Sequence, residues 1–239
     1  MVWKIDLHIH TCYSPDSLTK LPRLITACRR AGLDKIAITD HNTIAGALAA
    51  RELAPDLIIV GQEIDTTQGE LIGYFMQEVV PQGLTPQQAI ARLRDQGAVI
   101  GVSHPFESVR SSALARGALL EIIDQLDALE VFNARCLRQE DNRKAEEWAA
   151  RYGKLRTAGS DAHTLWELGR GYVELPPFDG PREFKRSLRQ GSVGGRPSGL
   201  LVHIPSTIAK PVRKWAMRRS ALRTGGREGR PADGQDGHR

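Results

Sequence analysis

At 239 residues with 41% hydrophobic residues, the chain has material for one substantial core, and a single α/β barrel fits that length as readily as two smaller domains. Three cysteines (Cys12, Cys28, Cys136) without a CxxC pair argue against a disulfide framework. The formal net charge of +5 is local: residues 205–239 hold nine Lys or Arg against Glu228, Asp233 and Asp236, so the remaining body is close to neutral and is not a polycation built for long nucleic acid.

The opening residues carry charge at Lys4 and Asp6, too early for a signal-peptide core. No apolar run approaches a membrane span, so no transmembrane segment and a cytoplasmic location are expected. Short β-branched runs predict strands over 3–9, 35–39, 57–61, 71–75, 98–103, 128–132, 155–158 and 171–175. Between them, Leu21, Leu24, Ile25 and Cys28 share one helical face, with Gly32 as a C-cap. Thr85-Pro86 opens a further helix that ends near Gln96, before Gly97. Helices are also expected over 141–152 and 181–190. Strands separated by helices of this length imply parallel pairing in an α/β fold. Thr66-Thr67-Gln68-Gly69, between two neighbouring strands, reads as a hairpin, so a regular eightfold barrel is not expected. Gly191 to Arg196, with its paired glycines, reads as a turn.

Residues 1–204 are read as one catalytic domain. Over 205–223, Ile208, Val212, Trp215 and Leu222 recur at helical spacing among basic residues. A terminal helix docked on the body is the favoured reading, and weak contact with nucleic acid or an anionic membrane is the sharper one. Residues 224–239 hold too few apolar side chains to order and are expected to be disordered.

Five of the seven histidines fall in four short clusters, each with a polar or acidic neighbour and each ending an apolar run. The clusters are Asp6-Leu7-His8-Ile9-His10, Thr39-Asp40-His41-Asn42, Ser103-His104-Pro105 and Gly159-Ser160-Asp161-Ala162-His163. Gly61-Gln62-Glu63 follows a further apolar run. Side chains two apart on a strand share a face, so His8 and His10 point together, as do Asp161 and His163 if that backbone is extended. In parallel α/β folds the functional side chains gather beyond the strands' carboxyl ends, where these clusters would converge. Imidazole with carboxylate suits zinc, manganese or iron, and the donors outnumber what one ion needs.

These motifs, in their order and spacing over roughly residues 3–200, make the chain resemble the PHP (polymerase and histidinol phosphatase) superfamily. The carrying segments are Asp6 to Ser17, Ala37 to Gly46, Gly61-Gln62-Glu63, Ser103 to Phe106 and Gly159 to His163. The resemblance implies a distorted (β/α)7 barrel with two or three divalent ions at its carboxyl face. It implies His8, His10, Glu63 and Asp161 around one ion, Glu63 bridging to a second held also by His104, and Asp16, His41 and His163 around a third. Where some relatives add a histidine after the His-Pro motif, this chain has Asn133, which implies a weakened second site or one completed by water and phosphate. Among relatives it is most similar to the short stand-alone phosphoesterases.

The implied reaction is hydrolysis of a small phosphomonoester, a metabolite or nucleotide, by water whose pKa the ions lower from 15.7 to about 7. Glu63, Asp161 and His163 are the expected catalytic centre. Arg110, Arg135 and Asn133 are candidates for gripping the phosphate, guanidinium matching its oxygens bidentately. Asp40 and Asp65 are candidates for orienting imidazoles. A 3′–5′ exonuclease acting on oligonucleotide ends and a non-catalytic metal-holding module are the alternative readings.

Overall fold

The alternation of apolar runs and amphipathic segments resolves into nine strands and six α-helices in the computed structural model, which describes residues 1–107, 113–199 and 202. The strands are β1 (Trp3–Ile9), β2 (Lys35–Ile38), β3 (Ile58–Thr66), β4 (Gly69–Tyr74), β5 (Val99–Val102), β6 (Ala128–Asn133), β7 (Leu155–Gly159), β8 (Gly171–Leu175) and β9 (Ser192–Gly195). The helices are α1 (Leu21–Arg30), α2 (Ala45–Leu53), α3 (Pro86–Asp95), α4 (Arg116–Ile122), α5 (Gln139–Arg151) and α6 (Gly180–Leu188). Arg110 and residues 205–239, with the terminal helix and tail expected there, lie outside the described residues.

One sheet runs in the order β7-β6-β5-β4-β3-β2-β1-β8-β9. β1, β2 and β3 are parallel, as are β5, β6 and β7, while β4 runs against both its neighbours and β8 against β1 and β9. The sheet curls until β7 packs on β1 and β8. There His10 N donates to Ala162 O (2.9 Å) and Ala162 N to His8 O (3.3 Å). The product is a nearly closed, irregular α/β barrel, as the resemblance implies, with nine strands and the β3–β4 hairpin breaking its regularity.

Local chemistry explains most elements. Thr85 and Gln88 form a reciprocal capping box at the start of α3. Gly32, at φ +68°, closes α1 in the left-handed conformation. Three elements depart from the sequence reading. Residues 191–196 are not merely a turn: Ser192–Gly195 is β9, paired antiparallel with β8 through Val193 and Val173. Its glycines hide a strand that the ladder hydrogen bonds of β8 support. α2 buries only Gly46, Ala47 and Ala50, so it shows no wide apolar stripe. α4, at seven residues, is too short to display a period.

A kink in β1 sets up the site. The β1–β2 register shifts between Asp6 and Ile9. Ile5 and Leu7 join the barrel's inner apolar cluster with Ile59 and Tyr74, whereas Ile9 joins the cluster beneath the helices. The extra residue thereby turns His8 and His10 inward above that inner core. Asp6, on the other face, accepts from Ser160 N (2.9 Å) and Gly169 N (2.9 Å) and from Ser160 Oγ, tying β1 to the turn after β7. Burial pushes its carboxyl up to about 6 despite those bonds. Gly159 permits the contact of β7 with β1: a Cβ there would lie 2.2 Å from His8 Cβ.

Gly159→Ala is therefore expected to force β7 off β1, lowering stability by about 1–3 kcal/mol in urea denaturation. Unchanged stability would show that the two strands can separate freely at this level.

Candidate metal centre

Five histidines and five carboxylates meet at the carboxyl ends of the inner strands. His8 and His10 close β1, Asp16 lies in the following loop, and His41 follows β2. Glu63 lies on β3, Glu70 on β4 and Glu130 on β6, while His104 follows β5 and Asp161 and His163 follow β7. All are buried except His41, which is partly open.

Glu63 is the centre of this arrangement. Its Oε2 lies 3.4 Å from His8 Nε2, 3.4 Å from His10 Nε2 and 3.3 Å from His41 Nδ1. Its Oε1 accepts from Ser103 Oγ (2.7 Å) and lies 3.2 Å from His104 Nε2. Fully buried Oε2 has no hydrogen-bond partner. Donors at the corners of a tetrahedron with metal bonds of about 2.0–2.2 Å stand about 3.4 Å apart. The spacing thus fits ligands of a shared cation better than a hydrogen-bonded cluster. Asp161 Oδ1 stands 3.4 Å from His10 Nε2 and 3.8 Å from His8 Nε2, on the same focus. A second focus is Asp16 Oδ2, which is 3.3 Å from His41 Nε2 and 3.2 Å from His163 Nε2. The eight residues expected as ligands are all brought together.

Surrounding groups fix the imidazoles. His8 Nδ1 donates to Glu130 Oε1 (3.1 Å), which turns Nε2 toward Glu63. Glu130 Oε2 also accepts from His104 N (2.8 Å) and Asn133 Nδ2 (3.0 Å). Ser14 Oγ donates to Asp16 Oδ1 (2.9 Å), leaving its lone pair for His10 Nδ1 at 3.3 Å. His163 Nδ1 donates to Asp161 O (2.8 Å) and so presents Nε2 to Asp16. Ser17 and Thr19 hydroxyls both donate to His163 O (each 3.0 Å), fastening the Asp16 loop to that turn.

The expectation of extended backbone at Asp161 is corrected. Asp161 has φ +54°, His104 +29° and Asn42 +58°, so three non-glycine residues at this mouth are held left-handed. Such conformations cost of order 1 kcal/mol each and persist where the surroundings enforce them. The turn at Asp161 aims both its carboxylate and His163 at the centre.

Other sequence-derived residues are placed as follows. Asn133 donates to Glu130 and, at 3.3 Å, to Asp161 Oδ2. Buried Arg135 donates to Asp161 O (3.4 Å) and Val202 O (3.2 Å) and pairs with Glu167 Oε1 (3.4 Å). Asp40 does not orient an imidazole: it accepts from Thr11 N (2.6 Å) and Thr11 Oγ1 (2.7 Å), anchoring the loop after β1. Asp65 accepts from Asn42 Nδ2 (2.7 Å) and lies 4.0 Å from His41 Nδ1. Glu70, Glu130 and Glu167 were not legible as site residues. Glu130 and Glu70 are lone acids inside strands, and a motif scan has no signal for them.

Electrostatics follow from burial. Loss of solvent alone would push the His8, His10 and His41 imidazoles down, yet neighbouring carboxylates outweigh it. Glu130 and Glu63 raise His8, Asp161 and Glu63 raise His10, and Glu63 and Asp16 carry His41 up to about 10. Burial would raise Asp16 and Glu63, but the histidines hold both below the usual carboxylate range. His163 is pushed down to about 4 by burial and by His10, so its Nε2 keeps a free lone pair.

A PHP domain model matches residues 6–115 and a PHP-associated model residues 139–193. An uncharacterised protein of Methanocaldococcus jannaschii is 36% identical over 196 residues, covering 78% of this chain and 79% of that protein. Among solved structures, a two-domain Bacteroides vulgatus protein containing a predicted PHP-like metal-dependent phosphoesterase superposes with TM-score 0.68 at 20% identity. That match covers 82% of this chain and 65% of the other. A lesion-specific endonuclease of Pyrococcus furiosus superposes with TM-score 0.57 at 16% identity, covering 81% of this chain and 58% of its own. At these identities the structures share the fold alone.

Because the neighbouring carboxylates raise the proton affinities of His8, His10 and His41, divalent ions compete with protons for these nitrogens. Calorimetry in buffers of differing ionisation enthalpy is expected to register proton release on zinc or manganese binding near pH 7, with affinity falling as pH falls. Glu130→Gln is expected to weaken binding by about 10–100-fold. Binding without proton release would contradict this charge distribution.

Proposed function

The chain belongs to the PHP family, and from that premise we propose that it is a metal-dependent phosphoesterase hydrolysing a small phosphomonoester, a metabolite or a nucleotide. The observation that carries the reading is Glu63 Oε2, buried, without a hydrogen bond, and 3.3–3.4 Å from three imidazole nitrogens. His8, His10, Glu63 and Asp161 would hold one ion, Asp16, His41 and His163 another, and Glu63 with His104 a further one. Zinc, manganese or iron bound there would make a coordinated water acidic and draw charge from phosphoryl oxygens.

The protein's own part is placement. Glu63 sits between the two groups of imidazoles and fixes their separation. His163, kept neutral, and Asp16 are locked by the Ser17 and Thr19 bonds. Asn133 and Arg135, expected from the sequence to meet the phosphate, are 0% and 3% exposed, and in this reading they act by setting Asp161. The glutamate and aspartate at the centre and His163 are the proposed catalytic residues.

The walls of the site support this substrate class. A cleft of about 260 Å³ borders Asp16 and His163 and continues along Leu18, Lys20, Arg23, Thr164 and Trp166. Trp166 is 70% exposed, a flat apolar surface beside two cations. Such a cleft suits a small leaving group with a planar or apolar part and its own negative charge. It offers a polymer little length to follow, and the near-neutral body adds no basic track.

Phosphate release from sugar phosphates and nucleotides, assayed with manganese or zinc beside a labelled single strand, tests the proposal. Glu63→Gln and Asp161→Asn are expected to lower kcat/KM by at least about a thousandfold, several kcal/mol of transition-state stabilisation. Trp166→Ala is expected to raise KM with kcat little changed. Cleavage of the strand with inert monoesters would replace this reading by the exonuclease. Full activity in either carboxylate variant would remove both.

A further inference from the structure

Some relatives in the resembled family supply a further histidine after the His-Pro motif, and this chain has Asn133 there. Asn133 gives its amide to Glu130 and Asp161 instead. The missing donor is available on the opposite flank. β4 pairs with β3 in a register that sets Ile72 against Glu63 and Glu70 against Asp65. Side chains two apart share a face, so Glu70 points inward with Ile72 and Tyr74, diagonal to Glu63. β4 also pairs with β5, Ile72 against Gly101, and two steps along that ladder bring Glu70 level with Ser103, beside His104.

The side chains agree with that register. Glu70 is 4% exposed, with Oε2 3.7 Å from His104 Nε2 and Oε1 3.8 Å from His41 Nδ1. His104 Nε2 is in turn 3.2 Å from Glu63 Oε1. One donor atom each from Glu63, Glu70 and His104 fall within 4.8 Å of one another. These separations are too long for hydrogen bonds between Glu70 and the imidazoles, and they suit donors around one cation. Glu63 thus presents Oε1 to His104 on this side while its Oε2 faces His8, His10 and His41, one oxygen to each focus.

We propose that Glu70 is a protein ligand of the second ion, completing with Glu63 and His104 a two-carboxylate, one-imidazole site. The inference rests on the reading of the centre as a divalent-ion site and deepens it. Exchanging an imidazole for a carboxylate makes this the hardest, most oxygen-rich position of the three. Oxygen donors favour manganese, whereas the Asp16, His41 and His163 group, with two imidazoles, suits zinc. The protein is thereby a mixed-metal centre in which β4 sets the identity of one ion.

The test is metal stoichiometry, independent of any substrate. Full-length protein stripped with chelator is titrated with manganese, the free aquo ion being followed by electron paramagnetic resonance, and with zinc, counted by elemental analysis. Glu70→Gln is expected to bind one manganese fewer than wild type, with zinc at the Asp16 group unchanged. Asp16→Asn is expected to lose a different ion, so that the double variant loses both. Glu70→His, which keeps a donor at the position, is expected to regain the ion while its manganese affinity falls at least tenfold and its zinc affinity rises. Wild-type manganese count and affinity in Glu70→Gln would overturn the proposal while leaving the metal centre standing. Should that variant not fold, wild-type manganese preference in Glu70→His would overturn it equally. A wild type that binds no ion would defeat the metal reading itself.

Discussion

Five carboxylates are withdrawn from water at one barrel mouth, and the surrounding structure is organised to hold them together. Asp16, Glu63, Glu70, Glu130 and Asp161 are each at most 5% exposed. Negative charges so close in a poorly solvated space repel strongly, and each loses its hydration. Cations have to stand among them. Without metal, that role falls to His8, His10 and His41, whose raised proton affinities express it. The sign of the effect is fixed by the direction of the shifts. The imidazole contribution to stability is complete below their ordinary value near 6.5 and is lost as pH rises, for His41 through about 10. Asp16 and Glu63, held low, contribute above the ordinary carboxylate range and lose it as pH falls. The ion-free protein is thus least protected at the two extremes, and bound ions relieve the same repulsion without protons.

The backbone is shaped around this cluster. Register shifts in β1 and in β6, between Glu130 and Phe132, occur at the two strands that carry His8 and its partner Glu130. A regular strand would place His8 on the face opposite Leu7; the shift lets the apolar core and the ligands share the interior, one above the other. The reversal at β4 has a comparable effect. An antiparallel neighbour brings its amino end, with Glu70, to the level where β3 and β5 present their carboxyl ends. A parallel strand would offer that level only its own terminus.

Legibility in the sequence followed from where chemistry interrupts apolarity. His8, His10, His41, His104, Asp161 and His163 each stand at the end of an apolar run, where a polar residue has no structural reason to recur, so they announced themselves. Glu63 was legible from its motif. Glu130 was not, because alternation with Leu129 and Val131 gives an acid on a half-exposed strand the same pattern. Glu70 follows the hairpin glycine and looks like ordinary turn polarity. Its role depends on register across β3 and β5, a relation between distant residues that no local pattern contains. The same limit hid β9, whose glycines form a strand only because β8 lies alongside.

The loops divide the remaining labour. Residues 11–19 supply Asp16 and then Leu18 and Thr19, and the turn after β7 supplies Asp161 and His163 and then Thr164 and Trp166. Each loop therefore carries a ligand on its inner end and a cleft wall on its outer end. The inner ends are cross-linked through Ser17, Thr19 and the His163 carbonyl, with Glu167 accepting from the amides of His163 (3.2 Å) and Thr164 (2.9 Å). The outer side chains of Leu18 and Trp166 are exposed, and Arg170 Nε donates to the Trp166 carbonyl (3.1 Å). Changing an outer residue alters what fits the cleft while the bonds that hold the ligands stay intact. In a barrel built this way the ligand cluster and the cleft walls occupy the same loops but different atoms, so the walls can vary while the cluster is kept.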